Sequence, residues 1–181
     1  MKYILFLGGN IAVVVERRLR HDKHMPRIRG ILLYYPLLQF ANLHLPSYSK
    51  YLSYRLLSLL HEDILTQVIN FYINTSFTKH QLFNNQYRSL DNENYFYSKL
   101  NLINSHKDYF RQDIDRNMRK LFDENISPLL ADDEILRHSP STYICACTYD
   151  VLLSDAQLYY QRLKKLNVDD IIYKEYLLIT T

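Results

Sequence analysis

The chain has 181 residues, of which 48% are hydrophobic, and this is enough to build the core of one folded domain. Its formal net charge of +3 is too small to indicate nucleic-acid binding, and its 17 tyrosines are scattered without an interleaved basic stripe. The apolar run from Tyr3 to Leu7 is far shorter than the roughly 20 residues of a membrane-spanning helix. We therefore expect a globular protein with no nucleic-acid partner and no membrane anchor in this chain.

The first 45 residues predict a strand, a helix and a second strand. Lys2 to Leu7 is a short apolar run, and Gly8-Gly9-Asn10 predicts a tight turn after it. Apolar residues from Ile11 to Leu19 then recur at helical spacing, and a basic run from Arg17 to Lys23 is interpreted as a solvated helix end. Arg27 to Tyr35 is the second apolar run. This order predicts parallel neighbouring strands with a right-handed crossover.

Residues 46–124 predict a mainly helical insertion. Leu52 to Ile69 keeps a helical period, and Asp108 to Phe122 is an amphipathic segment of the same kind. Between them, Phe77 to Asn104 is rich in Asn, Tyr and Phe and has weaker periodicity. We expect helices with irregular connections here.

Residues 125–181 contain the most informative pattern, a strand followed by an acidic turn and a helix. Tyr143 to Cys147 are apolar at nearly every position, which suits a parallel strand covered on both faces. Asp150 follows at the carboxyl end, where open α/β sheets place their chemistry. Ser154 with Gln157 three residues later predicts a capping box, and Asp170 to Ile179 is a last strand candidate.

The cysteines and glycines exclude several kinds of site. Cys145 and Cys147 lie two residues apart in one strand, so extended geometry disfavours a mutual disulfide, and two cysteines without a histidine cluster make a poor metal site. Only Gly8, Gly9 and Gly30 occur, which rules out a dinucleotide-binding turn, a phosphate-binding P-loop and a Gly-x-Ser-x-Gly elbow. No metal or cofactor is expected.

Three separated blocks resemble one family in the same order. The first is Gly8-Gly9-Asn10-Ile11-Ala12 with Pro26 to Pro36, the second is Ser127-Pro128-Leu129-Leu130-Ala131, and the third is Tyr149-Asp150-Val151-Leu152 with Asp155 and Tyr159 in step. They are similar to segments of the hormone-sensitive-lipase group of α/β-hydrolases. The branch they resemble most is that of the arylacetamide deacetylases and neutral cholesterol ester hydrolases.

This resemblance implies an α/β fold, namely a partial α/β-hydrolase core of parallel strands and flanking helices that carries a mainly helical cap. Residues 1–45 and 125–181 would form the core, and residues 46–124 the cap-like insertion. The implied activity is that of a serine hydrolase with a Ser-Asp-His triad, acting on carboxylic esters or amides of hydrophobic molecules. The family also suggests the endoplasmic reticulum, although no signal or anchor is expected here.

The resemblance places Asp150 at the position of the family's catalytic acid. The family's Gly-Asp-Ser-Ala-Gly-Gly-Asn motif falls on Ile4 to Asn10, so that Phe6 occupies the position of the nucleophilic serine. A phenyl ring has no nucleophilic atom, and it cannot form an acyl-enzyme. The oxyanion loop and the histidine would fall before Met1 and beyond the last residues. We therefore expect a truncated or degenerate homologue that is inactive alone, with an orphaned Asp150.

Two other functions remain open from the sequence: a non-catalytic module that binds a hydrophobic ligand, and an active hydrolase with an unorthodox or shared site. Ser127, Ser139 and Ser154 could replace the nucleophile, but turn and capping roles explain them more simply. Surface or capping roles are also expected for all seven histidines. Asp150 could instead bond to backbone N–H groups of its own loop, and Asp155 is expected to complement the helix dipole.

Overall fold

Three parallel strands form the central sheet. The computed structural model describes residues 4–52, 60–83, 90–100 and 116–177, and of residues 4–6 and 90–94 it describes the backbone. The strands are β1 (Gly30–Tyr34), β2 (Ser141–Cys147) and β3 (Ile171–Tyr176), with β2 in the middle. Gly30 pairs with Ser141, and Thr142 pairs with Ile171. The predicted parallel sheet is confirmed, and the acid-bearing strand is its central one.

Eight helices and one 3-10 turn surround the sheet within the described ranges. They are α1 (Ile4–His21), α2 (Pro46–Tyr51), α3 (Glu62–Ile73), α4 (Lys79–Phe83), α5 (Leu90–Lys99), α6 (Arg116–Lys120), the 3-10 turn Pro128–Leu130, α7 (Asp133–Arg137) and α8 (Leu153–Lys165). Residues 108–115 of the predicted Asp108 to Phe122 helix lie outside the described residues. The division of the chain at residues 46 and 124 stays a prediction. In the described part of the chain, every helix is too short or too polar to cross a membrane.

The first element is a helix, so the predicted strand and turn are wrong from Ile4 onward. The backbone is helical from Ile4 through Gly8 and Gly9 to His21, whereas Met1 to Tyr3 lie outside the described residues. A short apolar run does not by itself distinguish a strand from a buried helical segment. The glycine at position 9 serves packing, because a Cβ there would lie 2.7 Å from Cβ of Pro36.

Helices α1 and α8 cover one face of the sheet. Leu33 of β1 lies on this face and approaches Gly9 of α1, and Tyr173 of β3 stacks on Tyr160 of α8 with 5.1 Å between ring centroids. Ile144, which lies between Leu33 and Tyr173 in the register, is fully buried. This layer forms the core beneath the carboxyl end of β2.

The opposite face of the sheet is exposed along β1 and β3. Leu32 and Tyr34 of β1 are 55% and 52% exposed, and Ile172 and Tyr176 of β3 are 49% and 42% exposed. Tyr143 of β2, between Leu32 and Ile172 in the register, is half-buried. The apolar sequence of β2 predicts that other elements pack on both faces of the sheet. Among the described residues, one face is covered by helices and the other is covered incompletely.

Candidate active-site acid at the carboxyl edge of the sheet

Asp150 lies in the tight turn that joins β2 to α8. Its N–H donates to the carbonyl of Cys147, and its own carbonyl accepts from the N–H of Leu153, the first residue of α8. The side chain is nearly buried, and its Oδ1 accepts the N–H of Leu152 at 2.7 Å. The backbone contact considered for Asp150 from the sequence is confirmed, and it fixes the orientation of the carboxyl group.

The second carboxyl oxygen of Asp150 has no such contact. Among the described residues Oδ2 is buried and has no hydrogen-bond partner. Burial raises the pKa of Asp150 to about 6, although the hydrogen bond from Leu152 works in the opposite direction. One oxygen is thus anchored to the backbone while the other is available to accept a further donor.

A tyrosine and two cysteines line the same edge of the sheet. Tyr35 follows β1 with a positive φ of 47°, which is uncommon for a residue other than glycine. A hydrogen bond with the thiol of Cys147 is the largest cause that raises the pKa of Tyr35, and the negative charge of Asp150 adds to it. Cys145 and Cys147 are buried free thiols, and burial raises the pKa of Cys145. A buried thiol with a raised pKa is a poor nucleophile.

The beginning of α1 is tied to the same edge by Asn10. Its Nδ2 donates to the carbonyl oxygens of Leu37 and Ile126 at 3.0 and 2.8 Å, and its Oδ1 accepts the hydroxyl of Tyr72. Phe6 lies in the first turn of this helix, about one helical turn before Asn10. Its side chain lies outside the described residues.

Asp155 has a larger structural role than the sequence suggested. It lies in the first turn of α8, as predicted, but it is fully buried. Its Oδ2 accepts the N–H groups of Leu38 and Gln39, and its Oδ1 accepts the side-chain amide of Gln39 and the hydroxyl of Tyr48. Burial raises the pKa of Asp155 to about 7 despite these bonds. Asp155 thus joins α8 to the segment after β1.

The predicted capping box at Ser154 is wrong. Helix α8 begins after Leu152, and no side chain caps it. Ser154 instead exchanges two hydrogen bonds with Ser47, because the N–H of each residue donates to the hydroxyl of the other at 3.0 and 3.1 Å. Gln157 reaches Glu175 of β3. The spacing of Ser154 and Gln157 fits a capping box, but the hydroxyl of Ser154 accepts a hydrogen bond from Ser47, which lies 107 positions away.

The other two serines also have structural partners. The hydroxyl of Ser127 is buried, accepts the N–H of Phe40 and donates to the carbonyl of Leu121. Ser139 lies in the turn after α7, where its N–H donates to the carbonyl of Leu136. No described histidine donates to Oδ2 of Asp150, and His106 lies outside the described residues. The described chain therefore shows an acid without a nucleophile or a base beside it.

Sequence and structure comparisons place the chain beside known hydrolases. It is 31% identical over 174 residues to arylacetamide deacetylase of Bos taurus, an alignment of 89% of this chain and 43% of that protein. It is 27% identical over 176 residues to neutral cholesterol ester hydrolase 1 of Bos taurus, with 90% and 43% covered. No family model matches the chain.

The fold is similar to that of solved esterases. The hyperthermophilic esterase of the archaeon Pyrobaculum calidifontis superimposes with a TM-score of 0.59 at 19% identity, over 94% of this chain and 40% of the esterase. This likeness confirms the partial α/β-hydrolase fold. The chain spans less than half the length of the relatives and of the esterase.

Proposed function

Because the chain is related to the arylacetamide deacetylases and neutral cholesterol ester hydrolases and has part of an α/β-hydrolase fold, we propose that it is a homologue of hydrolases for carboxylic esters or amides of hydrophobic molecules. It retains the acid of the triad, Asp150, and has Phe6 in place of the nucleophile. The chain by itself has no hydrolytic turnover.

The observation that carries this proposal is the arrangement of Asp150. A catalytic acid in a triad orients an imidazole, and for this it needs a fixed carboxyl group with one oxygen open to an N–H donor. Asp150 meets both conditions, since Leu152 holds Oδ1 and Oδ2 is unpaired among the described residues. A purely structural aspartate would be expected to have both oxygens satisfied when buried, as Asp155 has.

The absence of turnover follows from the chemistry of the available groups. Phenylalanine at position 6 cannot attack a carbonyl carbon. The hydroxyl of Ser127 donates to a backbone carbonyl, and that of Ser154 accepts the N–H of Ser47, so both are engaged inside the fold. Neither contacts a histidine in the described structure, and a serine without a base is a weak nucleophile.

The test is hydrolysis of p-nitrophenyl butyrate together with labelling by a fluorophosphonate probe. The full chain, the Asp150→Asn variant and the Asp169→Asn variant would be compared, because Asp169 is an exposed aspartate that serves as a matched control. We expect no turnover above buffer and no labelled serine in any of the three.

Turnover that is lost in Asp150→Asn but kept in Asp169→Asn would contradict the proposal. A labelled serine would do the same, and peptide mapping of the label would identify the unorthodox nucleophile. Either result would favour an active hydrolase with a rearranged or shared site.

A further inference from the structure

A basic cavity opens at the edge of the sheet opposite to Asp150. Pro26 to Arg29 lead into β1, and His138 and Pro140 lead into β2; together with Glu16 and Arg20 of α1 they enclose about 640 Å³. A neighbouring hollow shares Arg20, Arg27 and His138 with this one. The cavity lies at the amino ends of the strands, and the seven residues of β2 place it about 20 Å from the acid.

Arg20 is the fixed part of the cavity wall. One terminal nitrogen donates to the carbonyl of Ile135 at 3.0 Å, and the other bridges to Glu16 at 3.1 Å. The ion pair balances the negative charge of Glu16, and the two contacts together hold the guanidinium group in place. Its Nε is buried and has no hydrogen-bond partner among the described residues.

Arg27 and Arg29 supply positive charge that the described structure leaves uncompensated. Both are exposed, and neither guanidinium group forms a hydrogen bond or ion pair with another described residue. Glu134, the acid that lines the neighbouring hollow, is already paired with Arg137 at 3.9 Å and lies 3.4 Å from His138. The cavity thus presents a surplus of about two positive charges.

We propose that this cavity is a binding site for a phosphate-bearing ligand, either a soluble phosphate monoester or a lipid phosphate headgroup. A phosphate monoester carries nearly two negative charges, which matches the two unpaired guanidinium groups. Arginine also binds phosphate through two parallel N–H donors. Pro26, Ile28 and Pro140 form an apolar wall that can contact the organic part of the ligand. The volume lies within the range of small-molecule sites.

The experiment measures binding by calorimetry and by sedimentation with vesicles. The soluble arm uses inorganic phosphate and glycerol 3-phosphate, and the lipid arm uses phosphatidylcholine vesicles with and without phosphatidic acid. The Arg27→Ala/Arg29→Ala variant removes the two unpaired charges. The control, Arg116→Ala/Lys164→Ala, removes the same charge from exposed positions on α6 and α8, and thermal unfolding of each variant checks its fold.

We expect binding in at least one arm, and an affinity at least tenfold weaker in Arg27→Ala/Arg29→Ala but unchanged within about twofold in the control. Binding in the soluble arm assigns a small phosphorylated ligand, and binding of phosphatidic acid vesicles alone assigns the headgroup. Absence of binding in both arms overturns the proposal. Equal weakening in the two variants also overturns it, because it would show attraction by net charge only.

Discussion

The carboxyl group of Asp150 is nearly buried, and in the described part of the chain only one of its oxygens is bonded, which makes its charged form costly. Its pKa is about 6 in the folded chain, against an ordinary value of 3.8. The folded state therefore keeps a proton that the unfolded state releases between these two pH values. By linkage, this group favours folding below about pH 4, and that contribution is lost as the pH rises through 6.

Replacement of Asp150 by Asn should remove the loss of folding stability that the charged carboxylate causes above about pH 4. We expect the free energy of unfolding at pH 7 to rise by about 1 to 3 kcal/mol relative to the parent chain, and the difference to shrink towards zero near pH 4. Urea unfolding at several pH values would measure it. A difference that does not change with pH would show that the carboxyl group is not the cause. A gain in stability on removing an acid is typical of functional positions.

The two adjacent glycines of α1 should respond in opposite ways to alanine. A Cβ at Gly8 would meet nothing within 4 Å, so Gly8→Ala should stabilise the helix by up to about 1 kcal/mol. A Cβ at Gly9 would lie 2.7 Å from Cβ of Pro36, so Gly9→Ala should destabilise the chain by about 1 to 3 kcal/mol. Chemical denaturation of both variants tests this. Similar effects at the two positions would contradict the helical packing of α1.

At the scale of elements, single polar side chains hold helices to the edge of the sheet. Asn10 joins α1 to the segments around Leu37 and Ile126, and Asp155 joins α8 to the segment around Gln39. Both side chains are fully buried, where a lost partner costs more than at the surface. The positions of α1 and α8 over the sheet depend on these contacts as well as on apolar packing.

Asn10→Asp tests this arrangement with almost no change of shape. A carboxylate would face two carbonyl oxygens to which Nδ2 now donates, so we expect a loss of about 2 to 4 kcal/mol at pH 7. The loss should become smaller at acidic pH, where the protonated carboxyl group can donate one hydrogen bond. Thermal unfolding between pH 4 and pH 7 measures both effects. A variant as stable as the parent chain at pH 7 would show that Asn10 does not fix α1.

Element types were predictable where the pattern was long or strongly apolar. The strand of Tyr143 to Cys147 and the helix after Asp150 are confirmed as β2 and α8. The run before Gly8 predicts a strand but is helical from Ile4 onward, because a few apolar residues suit either a strand or a buried helix. Asp155 lies three or four residues from Leu152 and Tyr159, so its position on the buried face of α8 was readable from the spacing. Its partners near Gln39 were not.

At the scale of the whole molecule, one face of the sheet exposes apolar side chains to solvent. Parallel sheets are normally covered on both faces, but Leu32, Tyr34 and Ile172 are about half exposed on one side of this sheet. Exposed apolar side chains on one sheet face favour association with other chains. We expect the chain, studied by itself, to associate through this face.

Leu32→Lys should reduce that association, because it places a charge at the middle of β1 on the exposed face. Phe71→Lys is the matched control, since Phe71 is an apolar residue that is 86% exposed on α3. Light scattering and analytical ultracentrifugation at equal concentration would measure the mass distribution. We expect a larger shift towards monomer in Leu32→Lys. Equal shifts in the two variants would contradict a role for the sheet face.

The sequence alone predicted a parallel sheet, the strand and helix around Asp150, and the resemblance to the hydrolase family, because these depend on local apolar patterns and short motifs; it also predicted a first strand where α1 begins, and this strand is wrong. Only the tertiary structure decided that Oδ2 of Asp150 is buried without a partner among the described residues, that both oxygens of Asp155 are satisfied, that Ser154 pairs with Ser47, and that Arg27 and Arg29 share a cavity with Arg20. The contacts of Asp155 and Ser154 join segments more than a hundred residues apart, and the cavity forms where α1 meets the segments that lead into β1 and β2, so no local pattern records these neighbours.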